Sequence, residues 1–125
     1  MWALEPHEDV VKRSKKLKKK RPRELKNVFD NLDTYLAGLQ QGVHPESLKR
    51  QLGFVHGNYP LGIVSIDQSG PAEGKGRLVP LRLYVYPSVS QQVLYLRTIG
   101  EKGTQDDDVR TTKRFVEDLQ HGLNE

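Results

Sequence analysis

The sequence predicts a single α+β domain over residues 1–125, in which a basic N-terminal helical hairpin packs on a small antiparallel sheet and a C-terminal helix follows. Three observations carry this prediction. Apolar residues recur with helical spacing before residue 42, they alternate as in strands between residues 78 and 99, and a second helical stripe follows residue 104. A chain of 125 residues is long enough for one hydrophobic core and too short for two.

The first elements predicted are a short edge strand and a helix. Residues 2–4 are apolar, and Pro6 suits the first turn of a helix, where a missing backbone N–H is tolerated. This helix is expected to end near Lys19, because Pro22 disfavours a helical conformation in the residue before it. Three apolar side chains are predicted to share one side of this helix: Val10, Val11 and Leu17.

Pro22 can also begin a second helix, which carries the clearest helical stripe of the chain. A turn of about three residues forces the two helices to fold back as a hairpin, and Gly42 is a suitable stop. From residue 42 to 59 the pattern weakens, so a loop is predicted, with one helical turn at 47–52 as the alternative. The apolar stripe of the second helix consists of Leu25, Val28, Phe29, Leu32, Leu36 and Leu39.

The second half of the chain predicts three strands and a last helix. Residues 61–67 are rich in β-branched side chains, and residues 69–76 form a glycine-rich connector. Residues 78–86 and 92–99 alternate as two strands of a hairpin. Thr104 or Asp106 can cap the final helix. The acidic residues in its first turn are favourable there, because the N-terminus is the positive end of the helix dipole. The stripe of this helix consists of Val109, Thr112, Val116, Leu119 and Leu123.

The positive charge is concentrated in residues 12–26. This segment carries ten of the twenty basic side chains and the single acid Glu24, a net charge of +9. Since the whole chain carries +4, the remaining 110 residues carry −5. Such a layout favours RNA or an acidic protein as a partner at one end, although basic helices are also common as solubilising surfaces. The candidate binding residues are Lys12, Lys15, Lys16, Lys18, Lys19, Lys20, Arg21, Arg23 and Lys26.

Composition also limits location and metal chemistry. Without cysteine, the chain can form neither a disulfide nor a thiolate metal site. Its four histidines share no short ligand spacing, so we expect no metal and no cofactor. The first residues lack the basic region and apolar stretch that export requires, and no apolar run is long enough to cross a membrane. A cytoplasmic protein without a membrane partner is therefore expected.

Two segments resemble the RelE/ParE superfamily of bacterial toxins and its HigB-type relatives. Residues 94–102, Leu-Tyr-Leu-Arg-Thr-Ile-Gly-Glu-Lys, are similar to that family's late strand, which ends in a glycine, one variable residue and a basic residue. Residues 15–19, Lys-Lys-Leu-Lys-Lys, are similar to the leucine among lysines of its first helix. The order of a short strand, a basic helical hairpin and an antiparallel meander resembles the family as well.

The resemblance implies the toxin of a toxin–antitoxin system, which cleaves messenger RNA at the ribosome without a metal and is neutralised by an acidic antitoxin protein. In that reaction the 2′-hydroxyl attacks its neighbouring phosphate, which requires a base, an acid and cations. The candidates are Arg82 and Arg97 as cations on the strands, Lys102 on the loop beyond them, and His56 as acid or base. Solvated surface side chains are the alternative interpretation of all four positions.

Three tyrosines on the predicted hairpin, Tyr84, Tyr86 and Tyr95, could stack with RNA bases, or could pack against one another across the strands. A non-catalytic module of the same fold that binds nucleic acid or an acidic protein is the main alternative function. A gyrase-directed toxin of the ParE type shares the architecture, and fold alone does not choose between these activities. A triad hydrolase is disfavoured, because no glycine-flanked nucleophile is present.

Overall fold

The computed structural model describes residues 1–68 and 80–123 and has the predicted α+β class. Within these residues the strands are β1 (Ala3–Pro6), β2 (Val55–His56), β3 (Val64–Asp67), β4 (Leu81–Ser88) and β5 (Val93–Glu101). The helices are α1 (Glu8–Lys20), α2 (Pro22–Gln40), α3 (Pro45–Gln51) and α4 (Gln105–Leu123). The connector predicted at 69–76 and the first two residues of the strand predicted from residue 78 lie outside the described residues.

The five strands form one mixed sheet in the order β1-β5-β4-β3-β2. Strands β3 to β5 form the predicted antiparallel meander, β2 adds a further antiparallel strand beside β3, and β1 adds a parallel edge strand beside β5. Parallel neighbours need a long connection between them. Here that connection contains α1, α2, α3 and the three other strands, so the N-terminal strand pairs with one that comes late in the sequence.

Two helices begin after a histidine, a residue that helix-start patterns do not favour. His7 Nδ1 accepts the backbone N–H of Asp9 at 3.0 Å, and His44 Nδ1 accepts that of Glu46 at 3.1 Å. Each ring thereby satisfies an N–H that has no partner inside its helix. As a result Pro6, which was expected in the first turn of α1, instead ends β1.

The segment predicted as a loop at 42–59 contains α3 and β2. The alternative prediction, one helical turn at 47–52, is closer to the structure than the loop. Helix α3 starts two residues before that turn, because Pro45 occupies its first position. Strand β2 has only two residues, Val55 and His56, which is too short to show an alternating pattern. It pairs with β3 and closes the sheet at the edge opposite β1.

Helices α1, α2 and α3 pack on one face of the sheet and form the main core with it. Across the three central strands, Ile66, Leu83 and Ile99 lie side by side in register and are fully buried. From α2 the predicted stripe is largely confirmed, with Phe29 and Leu36 only partly buried. Val11 departs from its predicted place on the apolar side of α1, since 45% of it is exposed. The buried hydrophobic side chains of the helical hairpin are Val10, Leu17, Leu25, Val28, Leu32, Tyr35 and Leu39.

Helix α4 covers the other face of the sheet, whereas the sequence led us to expect helices on one face only. Its Phe115 contacts the Tyr95 ring of β5 with centroids 5.6 Å apart, and the Arg97 guanidinium lies 5.7 Å from the centre of the Phe115 ring. Gln120 of α4 donates a hydrogen bond to the Tyr86 hydroxyl of β4 at 3.3 Å. The sheet is therefore buried on both faces where α4 crosses it.

A β-bulge interrupts the pairing of β4 with β5. Tyr84 is opposite Thr98, and the next residue of β4, Val85, is opposite Leu96, so Arg97 is the extra residue on β5. A bulge redirects the side chains on either side of it. Arg97 still shares a face with Tyr95, since both contact Phe115 of α4, but the alternation shifts by one residue from Thr98 onward.

Gly100 is the last residue but one of β5, beside the turn that leads into α4. A Cβ atom at this position would overlap the Asp108 carboxylate and the Thr104 hydroxyl, whereas a Cβ atom at Gly103 meets nothing within 4 Å. Asp108 is buried and accepts hydrogen bonds from Thr104 at 2.7 Å and from Arg13 at 2.9 Å. The missing side chain at Gly100 thus makes room for a carboxylate that joins α1, the turn and α4.

We expect Gly100→Ala to lower the free energy of unfolding by about 1–3 kcal/mol, because the added methyl group has to displace a buried, hydrogen-bonded carboxylate. Gly103→Ala, the same change three residues later, should alter it by less than about 0.5 kcal/mol. Urea denaturation followed by circular dichroism measures both variants. Equal stability of the two variants would contradict this interpretation of Gly100.

Candidate functional site

The basic residues of α1 and of the turn into α2 form an exposed surface, which we call the cationic strip. Three of the basic residues in this segment have carboxylate partners: Arg13 with Asp108, Arg21 with Glu24 and Glu101, and Lys26 with Asp30. The others are exposed and have no ion pair within the described residues. These seven define the cationic strip: Lys12, Lys15, Lys16, Lys18, Lys19, Lys20 and Arg23.

The strip has this form because Leu17 alone turns inward in the middle of the lysine run. Lysine is a good helix former, and the last turn of α1 favours positive charge through the helix dipole. The lysine ammonium groups nevertheless repel one another at helical spacing, by about 0.2–0.5 kcal/mol for each unfavourable pair. A bound polyanion would relieve this repulsion.

A groove of about 450 Å³ runs between α1 and the end of β5. Leu17 and Ile99 contribute its apolar surface. Arg13, Lys16 and Lys20 line one side of it, and the other side is formed by the turn from Gly100 to Thr104. Lys102 is exposed on that turn. The cationic strip therefore continues into a concave surface rather than ending on a flat one.

A second cluster of titratable side chains is centred on Asp67, at the end of β3. His56 Nε2 lies 3.2 Å from Asp67 Oδ2, and Arg82 Nε lies 3.4 Å from the same oxygen. Ser65 donates a hydrogen bond to Asp67 Oδ1 at 3.0 Å and accepts one from the Tyr59 hydroxyl at 3.3 Å. Strand register explains the cluster, because β2, β3 and β4 present these residues on one face of the sheet.

Burial raises the pKa of the Asp67 carboxyl above its ordinary value, although His56, the Ser65 hydroxyl and Arg82 all act in the opposite direction. The Asp67 side chain is 14% exposed, and that of His56 is 50% exposed. Asp67 therefore holds one nitrogen of a ring whose remainder reaches solvent. A carboxylate that orients an accessible imidazole is an arrangement suited to proton transfer.

The structure brings together two of the four predicted catalytic residues, His56 and Arg82, through Asp67. Lys102 lies at the same end of the sheet, since Arg82 is in register with Gly100, two residues before it. Arg97 lies apart from them. It is on β5, three strands or roughly 14 Å from His56 on β2. Arg82 is on the neighbouring strand β4, but Arg97 is opposite the step from Tyr84 to Val85, two to three residues along that strand.

Arg97 is also engaged by other groups. Its Nη1 donates a hydrogen bond to Asp9 Oδ2 at 2.8 Å, and its guanidinium lies against Phe115. The contact with Arg97 lowers the pKa of the Asp9 carboxyl. Arg97 thus joins the start of α1 to β5 and α4, and the four predicted residues do not surround one cleft.

The three tyrosines proposed for base stacking make ring contacts within the protein. Tyr84 is buried and contacts Tyr59 edge to face at 5.7 Å. Tyr86 and Tyr95 stack across the strands at 6.3 Å, and Tyr95 also contacts Phe115. Cross-strand packing, the alternative interpretation of these residues, accounts for the contact of Tyr86 with Tyr95, and the other two contacts join the sheet to Tyr59 and to α4.

Two residues of these clusters were missed by the sequence analysis. Asp67 appeared only as the last residue of a strand, and its partners became visible once the register joined β3 with β2 and β4. Asp108 was interpreted as one of three acids at a helix start, yet it alone of the three is buried. The signal that could have singled it out is its position four residues after Thr104, which suits a hydrogen bond within one helical turn.

In the part of the chain that the structure describes, no group of three or more histidine, aspartate or glutamate side chains is arranged to hold a metal ion. No helix among residues 1–68 and 80–123 is long and apolar enough to cross a membrane. Comparison of the chain with family models, curated proteins and solved structures gave no match.

Proposed function

We propose that this chain is a RelE-like toxin that acts on RNA, with the cationic strip as its RNA-binding surface and the Asp67 cluster as its reactive site. The observation that carries the proposal is the strip, whose seven exposed cations have no ion pair within the described residues. RNA supplies a continuous row of phosphates to such a surface, and the release of its counterions favours binding. The substrate would be messenger RNA that is bound to the ribosome.

The proposed reaction is attack of an RNA 2′-hydroxyl on the adjacent phosphorus, with cleavage of the P–O5′ bond. Because Asp67 contacts His56 at Nε2, the neutral ring carries its proton there, and Nδ1 is free to take the proton of the 2′-hydroxyl. The 5′-oxygen leaves with a proton from water. Arg82 and Lys102, at the same end of the sheet, would stabilise the negative charge that grows on the phosphorane.

An acidic antitoxin protein is the proposed second partner. The groove beside α1 offers an apolar floor of Leu17 and Ile99 with Lys16 and Lys20 at its side, a combination that suits an acidic segment with apolar side chains. Binding there would cover part of the strip and would exclude RNA from it. Neutralisation by the antitoxin would then follow from competition for one surface.

A second candidate function is a module that binds RNA or an acidic protein without cleaving it. The observation that favours it is the pairing of both strand arginines with carboxylates, Arg82 with Asp67 and Arg97 with Asp9. An arginine already neutralised within the protein stabilises a phosphorane less than a free one. This candidate keeps the role of the cationic strip and assigns the Asp67 cluster to stability.

Induced expression of the chain in a bacterial host tests the proposal. We expect growth arrest and cleavage of ribosome-bound messages, measured by primer extension. His56→Ala and Asp67→Asn should lower the cleavage rate by about 10²–10⁴-fold, since they remove or misorient the general base. His121→Ala, the same change at an exposed position near the end of α4, should leave the rate unchanged.

The possible outcomes separate the two candidates. Normal growth with intact messages would contradict the toxin proposal. Arrest without cleavage that nevertheless depends on the strip lysines would favour the binding module. Cleavage that persists in His56→Ala would support the toxin proposal and would contradict the assignment of the Asp67 cluster as its reactive site.

A further inference from the structure

A polar pocket of about 320 Å³ lies between α4 and the junction of β1 with α1. It is at the β1 edge of the sheet, whereas the Asp67 cluster is at the β2 edge. The proposed RNA chemistry does not use this pocket, and Arg97 is the one lining residue that was among the four catalytic candidates. Its lining residues are His7, Arg97, Thr111, Arg114, Phe115 and Asp118.

The base of the pocket is Arg97, whose side chain is 14% exposed. Among the described residues its guanidinium makes polar contacts through Nη1 alone, to Asp9 at 2.8 Å and to His7 Nδ1 at 3.2 Å. Arg97 Nε is buried and has no hydrogen-bond partner among the described residues. A buried donor without an acceptor is destabilising, and the edge formed by Nε and Nη2 is one that binds oxyanions with two parallel hydrogen bonds. Arg97 therefore retains its capacity to bind an anion.

His7 provides a second donor from the start of α1. Its Nδ1 accepts the backbone N–H of Asp9 at 3.0 Å, so the proton of the neutral ring is on Nε2. The role of His7 as a helix cap thus fixes which ring nitrogen can donate to a ligand. The ring lies 6.4 Å from that of Phe115, edge to face, which places it at the wall of the pocket.

Helix α4 completes the pocket with three side chains that share one face, Thr111, Arg114 and Asp118. Arg114 is exposed and has no ion pair within the described residues. The Thr111 hydroxyl can donate or accept. Asp118 is the one acid in the lining, and it repels an anion unless the anion itself carries a proton that the carboxylate can accept; the Asp9 carboxylate nearby is already paired with Arg97.

We propose that this pocket binds phosphate, either free or at the end of a nucleic-acid strand. Donors approach from three elements, Arg97 from β5, His7 from the start of α1 and Arg114 from α4, which suits a tetrahedral oxyanion better than a planar carboxylate. Phosphate keeps a proton near neutral pH, and its P–O–H group donates to Asp118. Sulfate has no such proton and meets Asp118 with repulsion, so the pocket selects phosphate over sulfate.

The test is a titration of the ¹⁵N-labelled chain with inorganic phosphate, followed at the Arg97 Nε–H resonance. We expect a saturable shift of this signal with phosphate and binding at least about tenfold weaker with sulfate, the difference made by one charge-assisted hydrogen bond. Asp118→Asn should remove the preference for phosphate. Equal affinity of the native chain for the two anions would overturn the proposed role of Asp118 and with it the phosphate site.

Matched arginine variants distinguish phosphate binding in the pocket from a general attraction of phosphate to a basic protein. Arg114→Gln should weaken phosphate binding at least about tenfold, whereas Arg110→Gln, one turn earlier on α4 and outside the pocket, should change it less than about twofold. Both sites are exposed, so both variants should fold. Equal losses in the two variants, or a shift that does not saturate, would overturn the proposal.

Two short oligonucleotides identify the source of the phosphate. If a 5′-phosphorylated trinucleotide competes with inorganic phosphate at Arg97 and its 5′-hydroxyl counterpart does not, the pocket holds the end of a strand. If neither competes, the pocket holds free phosphate. The site does not depend on the proposed cleavage activity, because the titration needs no turnover and the strip lysines lie outside the pocket.

Discussion

Replacing Lys12, Lys15, Lys18 and Lys19 by glutamate should lower the affinity for single-stranded RNA by about a hundredfold or more and flatten its salt dependence. Each phosphate contact on a single strand contributes about 0.7 to the slope of log K against log salt, so four contacts give a slope of about −2.8. Between 50 and 200 mM salt the native chain should then lose about fiftyfold in affinity, and the variant should lose little. Fluorescence anisotropy with a labelled RNA at several salt concentrations measures both quantities.

A pair of double variants controls for net charge. Lys15→Glu with Lys19→Glu and Arg110→Glu with Lys113→Glu make the same change in charge, on exposed residues of α1 and of α4 respectively. If the cationic strip binds RNA, only the α1 variant should reduce the salt slope, by about 1.4. Equal losses from both helices would mean that RNA senses the overall charge of the protein, and the strip would lose its role.

Leu83→Ala is expected to have the largest effect on stability, a loss of about 2–5 kcal/mol in the free energy of unfolding. Leu83 is fully buried on the central strand β4, between Ile66 of β3 and Ile99 of β5. A cavity at this point is enclosed by two neighbouring strands and by the helices above them, so it cannot easily collapse. Domains of this size have about 5–15 kcal/mol of stability in total, so the variant should unfold at a much lower urea concentration.

Leu4→Ala is the matched control, since Leu4 lies on the edge strand β1 and is 43% exposed. It removes the same atoms from a position that is already partly in water, and should cost less than about 1 kcal/mol. Equilibrium urea denaturation of both variants gives the comparison. A loss at Leu4 as large as that at Leu83 would show that the main core is not where α1, α2 and α3 cover the sheet.

The sequence predicted the elements whose pattern is long and regular. The stripe from Leu25 to Leu39 located α2, and alternation located β4 and β5, because burial of one side imposes a period that a single sequence displays. The two-residue strand β2 has no period to display. Helix α3 was hidden because its cap is His44, where serine, threonine, aspartate or asparagine is the usual signal.

The sequence predicted where the positive charge of the candidate site lies, but not which side chains contact one another. The run of lysines identified the cationic strip, since local sequence alone determines the charge density of an exposed helix. The Asp67 cluster depends on strand register across β2, β3 and β4, which the pattern of each strand by itself does not determine. The bulge at Arg97 is likewise a property of pairing, and it places Arg97 opposite the step from Tyr84 to Val85, two to three residues along β4 from Arg82.

The pairing of β1 with β5 has a consequence for how the chain folds. Arg97 and His7, which meet at this edge, are 90 residues apart, and Arg13 and Asp108 are 95 apart. Such contacts require closure of nearly the whole chain before they contribute any energy, which slows folding in proteins dominated by them. During synthesis the lysine-rich hairpin leaves the ribosome long before β5 exists, so the apolar side of the hairpin, with Val10 and Leu17, stays uncovered beside ribosomal RNA until β5 has been translated.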